Sequence, residues 1–430
     1  MKKQAIVYLL TFITLMTGCG LENNSDSLND SENSTETIVE NTENTENTDT
    51  ESIISNKTND KITIADEKET PSYYAKNDDS VEILKISAVY PVITIDGNTT
   101  ASKKINDSIK SEMDTFRNFE KENAKEAEEL YQMSLDSMTE FFPYSAEFSY
   151  TLKRCDNRVI SIVFHQNDYT GGAHGNYWSY GVTFDAKTGE RLYLESLTTD
   201  YAAFYQMLLD KLAAQADLPA YQNYLYDGQT VDVDHTLLND SASWYFDRSG
   251  ISFISNPYVL GPYVSGIFEF NIPYEELPGL KESYAYEKTY IRKLFPGVSV
   301  KHDINGDGAA DEICYSILSD ENFENAMPSL IINEKDFSSE FNNLHLSYLY
   351  TGAYYLIDIN PDDTYIELAI SSEDTESLEK SCTHFFRYDS SNQLVYLGNL
   401  DGIFSEDMQV SYNSNGNLIL FDRKGDIIRK

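Results

Sequence analysis

The chain has 430 residues carrying 71 acidic and 32 basic side chains, a formal net charge of −39 and a sequence pI near 4.3. That balance excludes nucleic-acid binding, because a phosphate backbone would be repelled, and it favours cationic partners such as Ca²⁺, basic proteins or basic groups of a cell envelope. The length implies two or three domains; 32 Tyr and 21 Phe supply material for sizeable cores, and four Cys are too few for a disulfide scaffold.

The N-terminus carries the clearest address. Lys2 and Lys3 form a positive n-region, and Ala5 to Met16 form an apolar h-region. That apolar run is too short to cross a bilayer, which needs about 20 helical residues. Thr17 and Gly18 then lead directly into Cys19. The run resembles the lipobox of bacterial lipoproteins, although Met16 stands where Leu is more usual. The resemblance implies a signal peptide over 1–18, a lipidated Cys19, and a mature protein anchored by lipid to the outer face of the bacterial cell membrane. The plainer reading is an ordinary secretory signal with a coincidental Cys; both put the mature chain outside the cytoplasm.

Residues 19–72 read as an acidic stalk. The stretch is Asn, Thr, Ser, Glu and Asp with almost nothing to bury, and residues 20–80 hold 16 acids against 4 bases. Such a composition cannot offset its ordering entropy, so the expectation is a disordered tether reaching about 40 Å or more.

Residues 80–285 read as an α+β domain with mainly antiparallel strands. Val81 to Ile95 is strand-like. Ile105, Ile109, Met113 and Phe116, continued by Ala124, Ala127, Leu130 and Tyr131, recur at helical spacing. Strands are expected over Ala146–Cys155, Val159–His165 and Tyr177–Phe184, a second helix after Asp200, and strands over Ile251–Ser255 and Gly266–Ile272. Helices and strands come in runs rather than in strict alternation, which favours α+β over α/β.

Several motifs punctuate this region: Tyr169-Thr-Gly-Gly-Ala-His-Gly-Asn176, Asp185 with Thr188-Gly189, Asn256-Pro-Tyr258, Gly261-Pro-Tyr263 and Ile272-Pro-Tyr-Glu-Glu-Leu277. Together they resemble the paired extracytoplasmic domains of unknown function in PdaC-type peptidoglycan deacetylases and RsiV-type lysozyme-sensing anti-sigma factors. The departures count as much. PdaC-type enzymes carry a separate catalytic domain with paired His and Asp metal ligands, whereas no two of the six His here lie three or four apart. RsiV-type proteins place a sigma-binding segment ahead of a membrane helix, and only four residues precede the h-region here. The resemblance therefore implies the extracytoplasmic module without either partner, with Gly171, Gly172, His174, Gly175 and Asp185 as candidate binding residues. Among these His174 is read as structural or recognitional rather than catalytic, because a catalytic His needs a nucleophile and an orienting carboxylate. The glycine run is no phosphate cradle, since it lacks the Lys-Ser/Thr ending of a P-loop.

Residues 290–430 read as a small β-rich domain. Asp303-Ile-Asn-Gly-Asp-Gly-Ala-Ala-Asp311 places Asp303, Asn305, Asp307, the Ala309 carbonyl and Asp311 at the spacing of an oxygen-rich Ca²⁺ loop. Cys314 stands where an EF-hand needs its bidentate Glu, so the loop resembles those of dockerin and FG-GAP (VCBS) repeats. The plainer alternative is a solvated Asx-rich turn. A degraded copy, Asp358-Ile-Asn-Pro-Asp-Asp363, hints at duplicated β-units. Cys314 and Cys382 are either a disulfide or buried thiols, with Cys155 left over.

No complete catalytic constellation emerges, so the expectation is a non-catalytic cell-surface binding protein whose partner is a basic, lysozyme-like protein or peptidoglycan. The alternatives are a cell-wall hydrolase or deacetylase relative using His174 with Asp185, and an adhesion or scaffold lipoprotein.

Overall fold

The computed structural model describes residues 62–430 except 223, 227–230, 239–242, 287–289, 320–325, 342–353, 374–380, 406–407, 414, 422–426 and 430. The signal segment, Cys19 and the stalk up to residue 61 lie outside the described residues.

The first sheet is built around one long strand. β1 (Ile62–Glu69) and β2 (Ser72–Ala75) both pair antiparallel with β3 (Asp78–Ile95), β1 covering its second half and β2 its first. The chain then forms α1 (Thr99–Ser137) and returns as β4 (Tyr144–Cys155), which lies parallel to β3. β5 (Val159–Tyr169) and β6 (Asn176–Asp185) continue the sheet antiparallel. The sheet order is therefore β1-β3-β4-β5-β6, with β2 beside β3. A parallel pair needs a crossover longer than a hairpin, and α1 supplies it. Asn98 starts the helix by accepting the Ala101 N–H, and Met138 in the left-handed conformation ends it. Ile105, Ile109, Met113 and Phe116 face the sheet, where they meet Phe148, Ile162, Phe164 and Val182 in one core.

A second core follows in the same expected domain. α2 (Tyr201–Ala216) sets Phe204, Leu208 and Leu212 against β7 (Ser243–Phe246), β8 (Gly250–Ser255) and β9 (Phe268–Pro273), an antiparallel sheet of its own. Short helical turns α3 (Pro219–Gln222) and α4 (Val233–Thr236) lie between them. β7 crosses the outer face of the first sheet at Gly181, whose N–H donates to Ser243 Oγ, while the Phe246 N–H donates to Ser161 Oγ. Arg154 fastens the two sheets from β4. It is fully buried and donates to Asp156, to the Tyr274 hydroxyl and to the carbonyls of Tyr284 and Ala285, among the rings of Phe246, Tyr274 and Tyr286.

The remaining strands are β10 (Ile291–Lys293), β11 (Val300–His302), β12 (Asp311–Ser319), β13 (Ala326–Ile332), β14 (Lys335–Asp336), β15 (Tyr354–Ile357), β16 (Glu367–Glu373), β17 (Ser381–Tyr388), β18 (Leu394–Asp401), β19 (Gln409–Tyr412), β20 (Leu418–Phe421) and β21 (Ile427–Arg429). They form three antiparallel sheets, β10-β15-β16-β17-β18, β11-β12-β13-β14 and β19-β20-β21. Lys293 pairs with Glu269 at 2.9 Å and Arg292 with Glu275 at 3.2 Å, joining this region to the second core.

The class is α+β with mostly antiparallel sheets and a β-rich C-terminal region, as the sequence implied. One expectation changes, and one open choice is resolved. Residues 62–69, inside the segment read as stalk, are folded, because β1 pairs residue for residue with β3. Cys314 and Cys382 stand on β12 and β17 in different sheets and, like Cys155, are thiols. Among the described residues no helix is long and apolar enough to cross a membrane.

Candidate functional site

The glycine-rich motif is the tip of the β5–β6 hairpin. Gly171 and Gly172 adopt φ of +93° and +96°, a region that side-chain-bearing residues avoid, while an added Cβ at either would meet nothing. Backbone conformation, not space, demands glycine there. Gly175 is the converse case, since its Cβ would fall 2.4 Å from the Asp168 carbonyl.

His174 projects from this turn and is exposed, yet it is held. Its ring stacks on Tyr263 with centroids 3.9 Å apart. Nδ1 lies 2.8 Å from the Gly175 carbonyl, which can only accept, so Nδ1 carries the proton and Nε2 is left as the acceptor. The Tyr258 hydroxyl points at that Nε2 from 3.5 Å. Tyr263 also donates to the Gly175 carbonyl at 2.8 Å, and Tyr177 packs edge-on against Tyr263.

The second segment of the site, 256–264, is pinned to β6 by one side chain. Asn256 Oδ1 accepts the Ser179 N–H at 2.7 Å, and its Nδ2 donates to the Ser179 carbonyl at 3.0 Å. Tyr258 takes a left-handed φ of +69°, unusual for an aromatic residue, and is 55% exposed. Val259 and Val264 stand exposed beside it. Burial raises the Tyr263 and Tyr177 hydroxyls above the usual tyrosine range, Tyr258 adding to the first and Tyr263 to the second, so both stay protonated donors.

Gly171, Gly172, His174 and Gly175 therefore lie together, but Asp185 does not. It ends β6, nine residues beyond Asn176, or about 30 Å along an extended strand. There its Oδ1 accepts the N–H groups of Lys187 and Thr188, which closes the turn before Gly189. A His174–Asp185 pair is thereby ruled out. Tyr177, Tyr258 and Tyr263 were missed as site residues. The Asn-Pro-Tyr and Gly-Pro-Tyr motifs marked two of them, but nothing in the sequence placed them against His174.

The Asp-rich loop is compact and mostly self-satisfied. Asp303 Oδ1 accepts from the Gly306 and Asp307 N–H groups, and its Oδ2 accepts from Gly308. Asp307 Oδ1 accepts from Ala309. Asn305 Nδ2 donates to Asp307 Oδ2. Asp311, buried at the head of β12, accepts from the Ile304 N–H and from Asn333 Nδ2. The oxygens are of the class Ca²⁺ prefers. As folded, however, they close Asx turns, and no group of three or more His, Cys, Asp or Glu among the described residues is arranged to hold a metal ion.

Comparison with known proteins separates the two cores. Residues 74–177 match the family model described as deacetylase PdaC, and residues 198–275 match that of a protein family of unknown function, DUF3298. The site thus takes His174 from the first match and Tyr258 and Tyr263 from the second. Among solved structures, a DUF3298 family member from Bacteroides fragilis aligns at 18% identity and a TM-score of 0.40, covering 53% of this chain and 96% of its own. A DUF3298 family protein from Pseudomonas aeruginosa aligns at 15% identity and 0.36, covering 53% and 98%. Comparison with curated proteins gives no match.

Proposed function

We propose that the chain is a lipid-anchored, non-catalytic binding protein of the outer bacterial cell surface, and that its partner docks on the hairpin tip. The observation that supports this reading most is the His174–Tyr263 stack at the meeting of the two matched regions, exposed yet fixed by Asn256, Tyr258 and the Gly175 carbonyl. Rigid aromatic groups lose little entropy on binding and make effective anchors. The Cys19 motif favours the membrane anchor, and the net charge of −39 favours a basic envelope protein of the lysozyme class over a neutral glycan. Peptidoglycan is the other partner of the same reading.

The test is calorimetric titration of the lipid-free protein with a basic lysozyme and with peptidoglycan fragments, at low and high salt. Micromolar binding to one of them that persists in high salt, and weakens at least tenfold in Tyr263→Ala and His174→Ala, is the expected result. Binding that disappears with salt, or that ignores both substitutions, defeats the proposal. The name of the first matched family keeps a deacetylase in view. Acetate released from peptidoglycan and lost in His174→Ala would establish that enzyme instead.

A further inference from the structure

The β-rich region contains one structural phrase twice, and the two copies solve the same electrostatic problem differently. Each runs strand, Asp-Ile-Asn, loop, strand: β11 to β12 through 303–305, and β15 to β16 through 358–360. In each, the Ile N–H donates at 3.1 Å to the carboxylate that opens the next strand, Ile304 to Asp311 and Ile359 to Glu367. Both carboxylates are buried, Asp311 with 4% and Glu367 with 0% exposure. The loops also touch, since the Ile366 N–H donates to the Ile304 carbonyl, and a Cβ at Gly306 would fall 2.1 Å from Thr364 Oγ1.

In the first copy the acids are satisfied by backbone N–H groups and by two side-chain amides, those of Asn305 and Asn333. In the second, Pro361 occupies the Gly306 position and has no N–H to give. Asp358 Oδ1 is buried with no hydrogen-bond partner among the described residues. Asp363 still accepts from the Tyr365 N–H and from Asn360 Nδ2; in addition, Arg387 faces Glu367 across the β16–β17 pair. Its Nε donates to Glu367 Oε1 at 2.9 Å, and its Nη2 bonds the same oxygen and Asp363 Oδ2, the latter at 3.1 Å. The Tyr365 ring lies 4.4 Å from the guanidinium carbon.

We propose that Arg387 is the resident cation of the 358–367 loop, its guanidinium holding together the Glu367 and Asp363 carboxylates that a divalent cation would otherwise bridge. The planar fork meets two carboxylates at once, which an ammonium cannot do as well. Burial pushes Glu367 above the ordinary carboxyl range against the pull of Arg387, and burial followed by Asp363 does the same to Asp358, so this loop has negative charge to lose as soon as Arg387 is removed. The second copy is thus closed without metal, and a divalent cation becomes its substitute only in an Arg387 variant.

The experiment is calorimetric melting of the full chain and of Arg387→Met and Arg387→Met/Glu367→Gln, each in chelator and in millimolar CaCl₂. In chelator, Arg387→Met is expected to melt several degrees below the parent, and Glu367→Gln to restore most of that loss. Calcium is expected to raise Arg387→Met by more than it raises the parent, the excess vanishing in the double variant. A melting point for Arg387→Met equal to the parent's overturns the proposal, as does a loss that Glu367→Gln leaves untouched. Restoration by Glu367→Gln with no extra response to calcium also overturns it, reducing Arg387 to an ordinary ion-pair partner. Should Arg387→Met not fold, Arg387→Lys gives the same comparison with a smaller expected loss, because the charge survives and the fork does not.

Discussion

Glu120 is the least expected residue on the buried face of α1. It is 1% exposed, and Asn123 Nδ2 lies 3.3 and 3.5 Å from its carboxylate oxygens. Burial first, and the charge of Asp168 second, push its carboxyl up to about 7. The folded state therefore holds a proton that the unfolded state releases near pH 4.5, and stability falls as pH rises from there to about 7. Glu120→Gln should leave the chemical-denaturation midpoint unchanged at pH 4 and raise it at pH 8 by the equivalent of about 1–3 kcal/mol. Equal behaviour of the two proteins at both pH values would show that Glu120 is solvated. Arg154 is the opposite case, a buried charge with every arm engaged. Replacing it with Met takes away the donors to Asp156 Oδ2, the Tyr274 hydroxyl and the Tyr284 carbonyl and leaves the Asp156 charge uncompensated, so Arg154→Met should cost about 3–5 kcal/mol, read as a loss of the same midpoint. Neither role was legible from composition, which shows that a residue is charged but not what surrounds it. His174 was legible as a turn residue because three glycines flank it. Asp185 was misplaced because a motif gives order along the chain, whereas a ten-residue strand separates it from the hairpin tip.

At the scale of elements, hydrophobic periodicity located the long helix and most strands of the first 285 residues. Except at Leu130, which is exposed, the apolar face of α1 is the one expected, because a 3.6-residue rhythm can be satisfied only by one buried stripe. β7 escaped notice because Ser243-Trp-Tyr-Phe246 is too short to alternate visibly, yet it is the element that crosses the first sheet. The crossing depends on a glycine of ordinary backbone conformation. A Cβ on Gly181 would fall 1.9 Å from the Trp244 carbonyl oxygen and 3.1 Å from the Tyr245 Cβ, so β7 would have to lift away. Gly172, by contrast, has a positive φ and empty space around it. Gly172→Ala should therefore cost about 1–2 kcal/mol from backbone strain alone. Gly181→Ala should cost clearly more, or yield insoluble protein, and the pair is separated by comparing their denaturation midpoints. Equal midpoints would mean that the two sheets pack loosely enough to absorb a methyl group.

At the scale of the whole molecule, residues 62–75 belong to the first sheet and not to a stalk. Composition put the stalk boundary at residue 72, since Ile62-Thr-Ile-Ala-Asp-Glu-Lys-Glu69 continues the polar, acidic character of what precedes it. That reading fails because an edge strand can look like a linker: β1 lies at the sheet's margin and is mostly exposed, and charged side chains are what edge strands carry to resist pairing with other molecules. Its contribution lies in the ladder and in a few polar ties. All eight residues of β1 pair with β3, Glu69 pairs with Arg117 of α1, and the Tyr90 hydroxyl donates to Glu67 and Glu69. The Ile86 N–H donates to the Pro71 carbonyl, and the Lys76 N–H to Glu128. A chain cut to begin at residue 80 loses all of these and uncovers one edge of β3, an unshielded strand carrying Ile83, Ile86, Ile93 and Ile95. That chain should melt well below one beginning at residue 60 and should self-associate with rising concentration in analytical ultracentrifugation, whereas the longer chain stays monomeric. Identical melting and sedimentation of the two would return residues 62–75 to the stalk and leave β3 as the true margin of the sheet.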